Sequence, residues 1–158
     1  MRPVLISVFI LLSVQSCRQD NKLTQEEKLR IADTVALTLI NYANDVKAKG
    51  LTAEFNYLDS SSDFFWVPPG FSSAISYDSV ASILNQSVSH YKTVDNTYVT
   101  LKVLALSRRL ATYHARINSV ITDNLGKVSV MKLMETGLLI KRPNGWKLQS
   151  GHTTILTP

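Results

Sequence analysis

A single cysteine, Cys17, serves all 158 residues, so no disulfide can close within the chain. Three histidines (His90, His114 and His152) share no ligand spacing, which with the missing thiols excludes a structural zinc site. No G-x-G-x-x-G and no P-loop is present, and "GFSSA" at 70–74 is not the G-x-S-x-G of a nucleophile elbow. Neither a metal nor a cofactor is therefore expected. Basic residues exceed acidic ones, 17 against 12, yet they are scattered. The adjacent pairs Arg108-Arg109 and Lys141-Arg142 fall near expected turns. Nucleic-acid binding calls for a clustered basic patch, so no nucleic-acid partner is expected. The longest apolar run, Val4 to Val14, is about eleven residues, too short to cross a bilayer as a helix.

That run has a meaning of its own. Arg2, the apolar stretch and the small or polar residues before Cys17 form a cleavable secretory signal over 1–16. A lone cysteine at its end, preceded by Val14 and Ser16, resembles the lipobox of bacterial lipoproteins, with Gln15 departing from the usual small residue. The resemblance implies an acylated Cys17 that anchors an exported protein in the bacterial cell envelope, on the periplasmic or surface face of the outer membrane. Two or three acyl chains bury enough methylene groups for stable anchoring. The other reading is an ordinary secreted protein with a stray signal cysteine. Residues 17–23 then form a tether, and 24–158 one domain with enough chain for a core.

Inside the domain the period of the apolar residues changes. Thr24 and Glu27 make a T-x-x-E capping box, and Ile31, Val35, Leu39, Ala43 and Val46 follow at helical spacing. Lys47, Lys49 and Gly50 suit the helix end, which predicts a helix over 25–49. A short helix or loop covers 51–58, and "DFFWV" and "FSSAI" flank the turn Pro68-Pro69-Gly70. A second helix spans about 77–90. From Thr97 the alternation becomes twofold, giving four antiparallel strands, the last two joined at Asn144-Gly145. The expected class is α+β, with helices on one face of a curved sheet.

This order, with the capped helix, the aromatic hairpin "DFFWVPPG" and the closing "GWKLQSGH", resembles the NTF2-like superfamily in its SnoaL-like (DUF4440) branch. The resemblance implies a cone in which the sheet wraps the helices around a pocket, and a homodimer through the outer sheet face. It does not set a function, since such cones host isomerases, cyclases, dehydratases and non-catalytic modules.

The candidate site follows from strand phase. In an unbroken strand Trp146, Leu148, Ser150 and His152 share a face, taken as the interior. His152 is then a candidate general base or hydrogen-bond donor. Glu135 is the carboxylate inside the last four strands, but its phase is open. Val128, Val130 and Met134 compete with Met131, Leu133 and Leu139 for the inner face. Tyr42, Phe64, Trp66, Tyr113 and Trp146 are the candidate pocket lining. A ketosteroid-isomerase pattern would use Tyr42 with Asp59 or Asp63, and no convincing dyad emerges. Three readings stand: a binder of a small, largely apolar ligand; an acid–base enzyme of the isomerase, cyclase or dehydratase kind; and a homodimeric interaction module.

Overall fold

A computed structural model describes residues 22–157; the expected signal over 1–16 and the lipidation site Cys17 lie outside them. The first helix, α1 (Gln25–Lys49), starts where its capping box predicts. Thr24 Oγ1 accepts from the Glu27 amide at 3.1 Å, and Glu27 Oε2 accepts from the Thr24 amide at 2.9 Å. The other Glu27 oxygen receives Arg108 from a distant turn, so one carboxylate both caps the helix and ties it to the sheet. Val35, Leu39 and Val46 form the buried stripe of α1. Burying each such side chain stabilises the fold by about 1.5–3 kcal/mol. Gly50 ends the helix at φ +87°, a conformation that glycine adopts without strain.

A 3-10 helix (Leu51–Asn56) follows, then the short strand β1 (Phe65–Val67) and the second helix α2 (Tyr77–Ser87). The expected hairpin around Pro68-Pro69-Gly70 is reduced to one antiparallel bridge, Trp66 to Ile75, because β1 instead pairs in parallel with the last strand. Long strands complete the chain: β2 (Tyr91–Ala105), β3 (Leu110–Asp123), β4 (Val128–Arg142) and β5 (Gly145–Ile155). β2 begins six residues ahead of the expected Thr97, and the sheet order is β1-β5-β4-β3-β2. The helices lie on its concave side, which is the α+β arrangement that the patterning predicts and the cone that the resemblance implies.

Two interruptions of the ladder decide which side chains face inward. Between β2 and β3 the register skips Val99, so Tyr98 and Leu101 both turn inward and Val99 is exposed. Between β4 and β5 it skips Gln149, with Leu148 opposite Leu139 and Ser150 opposite Leu138. An extra residue reverses the phase of everything beyond it. Trp146 and Leu148 therefore point into the core, whereas Gly151 and Thr153 are the inward residues beyond the bulge. Past this point Gly137 and Gly151 stand opposite each other. A Cβ on the first would lie 2.6 Å from the Tyr113 ring, and one on the second 2.5 Å from the Trp66 ring. The two glycines make the flat floor on which both rings rest.

Candidate functional site

The concave face, α1, the 3-10 helix, the β1–α2 connection and α2 enclose a cavity of about 270 Å³. Its walls are mostly apolar: Leu58, Phe64, Trp66, Pro68, Pro69, Ile75, Val80, Ile83, Leu84, Leu133 and Leu148. Four polar residues break that lining, Tyr42 from α1, Glu54 from the 3-10 helix, Glu135 from β4 and Thr153 from β5.

Glu135 is held at both oxygens. The Tyr113 hydroxyl donates to Oε1 at 2.6 Å, and the Thr153 hydroxyl donates to Oε2 at 2.8 Å. Thr153 accepts in turn from the Trp66 indole N–H at 3.1 Å, which commits its own proton to the carboxylate. Register explains the arrangement, because Glu135 sits directly opposite Thr153, and Tyr113 opposite Gly137 two residues away. Burial raises the Glu135 pKa, against the pull of the two donors toward the charged form.

Glu54 faces the same cavity without such a cradle. Burial is the main reason its pKa is pushed up to about 7; the Tyr42 phenol beside it opposes the rise and the charge of Glu135 adds to it. The phenols of Tyr42, Tyr98 and Tyr113 are all pushed up, first by burial and then by these carboxylates, so they stay protonated donors at neutral pH. The site thus contains a carboxylate fixed by two donors, a second poised to gain or lose a proton near neutrality, and phenols around them. A carboxyl group tuned toward pH 7 inside a mostly apolar cavity is what proton transfer requires.

Several expected residues find their places, and others do not. Tyr42, Phe64 and Trp66 line the cavity, and Tyr113 stands behind Glu135 as its donor. Glu135 faces inward with Met131, Leu133 and Leu139, while Val128 and Val130 are exposed on the outer side. His152 does not enter the site: the Gln149 bulge turns it out to the outer face, where it pairs with Val67 and is exposed. Trp146, expected in the pocket, is buried in the core and does not line the cavity; Lys141 approaches its ring to 5.6 Å. Asp59 is engaged by Arg142 through two hydrogen bonds of 3.0 and 2.7 Å, and neither it nor Asp63 lines the cavity.

Sequence reasoning missed Glu54, Thr153 and Tyr98. The first carried a usable signal, a carboxylate set between Ala53 and Phe55 in a short element packed under the first helix. The other two depend on the bulges. Among the described residues no group of three or more His, Cys, Asp or Glu is placed to hold a metal ion.

No protein-family model matches the sequence, and no curated protein does. Solved structures do match its shape. A candidate scytalone dehydratase from Novosphingobium aromaticivorans aligns with TM-score 0.72 at 7% identity, over 85% of this chain and 89% of that one. An NTF2-like superfamily protein from Salmonella enterica aligns with TM-score 0.67 at 11% identity, over 86% and 95%. A ketosteroid isomerase-like protein from Erwinia carotovora atroseptica gives 0.62 at 18%, over 85% and 100%. At these identities the likeness concerns the fold, and the fold is the NTF2-like cone.

Proposed function

We propose that this domain takes a small, largely apolar molecule into the cone cavity and moves a proton on it, with Glu54 as the group that accepts and returns the proton. The observation that carries this reading is the meeting of two carboxylates, Glu54 and Glu135, in one apolar cavity. An ionised Glu54 takes a proton from a carbon next to a carbonyl, and the enolate oxygen accepts a hydrogen bond from a phenol such as Tyr42. Return of that proton to another carbon gives an isomer. Loss of a β-hydroxyl, which leaves as water with the proton from Glu54, gives dehydration instead. Structural neighbours named for dehydration and for ketosteroid isomerisation lend support to this class of reaction.

Glu135 acts as the fixed partner, its orientation set by Tyr113 and Thr153. The test is deuterium uptake from heavy water into a panel of cyclic ketones, followed by NMR. Exchange should fall at least a hundredfold in Glu54→Gln, in line with the contribution of a general base. Exchange that proceeds equally in the variant removes Glu54 from this role.

The setting follows from the sequence. Lipidation at Cys17 would hold the domain at a membrane of the cell envelope, with assignment to the SnoaL-like (DUF4440) branch as the parent family. A homodimer through the outer sheet face is consistent with exposed Phe65, Val99, Val128 and Val130. A strict monomer in analytical ultracentrifugation at high concentration would oppose that assembly.

A further inference from the structure

We infer that the cavity selects its occupant by charge and takes a small apolar molecule bearing a protonated amine. The inference rests on the proposed use of this cavity by a ligand and adds the ligand's class; it does not require the proton-transfer step.

The groups around the carboxylates come from every layer packed against them. α1 brings Tyr42, the 3-10 helix Glu54, β2 Tyr98, β3 Tyr113, β4 Glu135 and β5 Thr153. None of these is a cation, and none of the residues lining the cavity is lysine, arginine or histidine. Tyr113 and Thr153 donate to Glu135, while among the described residues no cation is paired with Glu54. Four basic groups are committed to other carboxylates: Arg142 to Asp59, Lys47 to Asp95, Lys49 to Asp45 and Arg108 to Glu27.

Carboxylates taken out of water are normally matched by a counter-charge, and among the described residues none is placed in this cavity. A ligand cation fills that role. The space is wide and mostly apolar, which suits an organic cation and not a bare metal ion that needs several oxygen ligands. Phe64, Trp66 and Tyr42 add aromatic groups that attract an ammonium ion placed over a ring. An anion entering the same space would meet two carboxylates and no positive group. A neutral alcohol would gain hydrogen bonds but no charge pairing.

Three probes of one skeleton decide the matter on the unaltered protein: benzylamine, benzyl alcohol and benzoate, titrated by calorimetry. At about pH 8, where Glu54 is charged, benzylamine should bind at least tenfold more tightly than benzyl alcohol, and benzoate should not bind. At about pH 5.5 Glu54 carries its proton, and the advantage of the amine should shrink severalfold. In Glu54→Gln the preference for the amine should be lost at both pH values. If that variant does not fold, the two-pH comparison stands by itself. Equal or tighter binding of the alcohol, binding of benzoate, a pH-independent preference, or no binding by any probe overturns the inference. Because the readout is binding, amine selectivity without deuterium exchange would sink only the proton-transfer reading. Exchange without amine selectivity would sink only the present one.

Discussion

Replacing Glu54 by glutamine should alter how stability depends on pH, and the size of the change follows from the site. The ordinary value of 4.5 rises to about 7 in the folded protein, chiefly through burial. Each pKa unit corresponds to about 1.4 kcal/mol, so the full shift amounts to roughly 3 kcal/mol. Cavity water reduces this, and roughly 2 kcal/mol is the working expectation. The folded value lies above the unfolded one. The contribution of the protonated acid is therefore fully present below about pH 4.5 and is lost as the pH rises through about 7. Glutamine has no such proton to lose. Glu135 shifts in the same direction and remains in both proteins, so the difference between their curves reports Glu54 together with its coupling to Glu135. Urea unfolding at fixed ionic strength should show the native protein losing about 2 kcal/mol relative to Glu54→Gln between about pH 4.5 and 8. A difference that stays constant over that window would mean that Glu54 is solvated and refute the site as described.

Thr153→Val keeps the shape but removes the hydroxyl that joins Trp66 to Glu135. It should cost roughly 1–3 kcal/mol by urea unfolding at pH 7, the penalty for leaving buried polar groups without their partner, and shift Trp66 fluorescence. Gly151→Ala places a methyl 2.5 Å from both the Trp66 ring and the Thr136 carbonyl oxygen. Overpacking of this kind should lower stability by roughly 1–3 kcal/mol and disturb the cavity wall, visible as weaker binding of any cavity probe.

Much of the architecture was readable from periodicity and caps. The first helix begins and ends where Thr24, Glu27 and Gly50 place it, because the cap chemistry is local. The turn at Asn144-Gly145 likewise needs nothing beyond its neighbours. The site was less legible, since strand phase is not a local property. A run such as "WKLQSGHTT" alternates in the same way with or without an inserted residue, and only pairing with Leu138 and Leu139 reveals that Gln149 is extra. The error about His152 and the omission of Thr153 are thus one event, a half-period slip. Tyr98 was lost to the corresponding slip at Val99. The open phase of Glu135 was resolved by its partners across the ladder, Ala115 and Thr153.

The same short region of β5 also sets the position of the second carboxylate. Just before the bulge, the Leu148 amide donates to the Tyr57 carbonyl at 2.7 Å, and the Leu148 carbonyl accepts from the Asp59 amide at 2.7 Å. These bonds fasten the end of the segment that carries Glu54 to the sheet. Lys147 reinforces them by donating to the Asn56 carbonyl, and Arg142 by holding Asp59. Leu148 and Gln149 therefore do two jobs within two residues: one docks the helical turn of Glu54, and the other rotates Thr153 inward against Glu135. The carboxylates belong to segments far apart in the chain, yet their meeting depends on one irregularity in one strand. Were Gln149 instead paired into the ladder opposite Leu138, every later residue would slip by one and His152 would meet Glu135 in place of Thr153, so the bulge is a structural condition for the site.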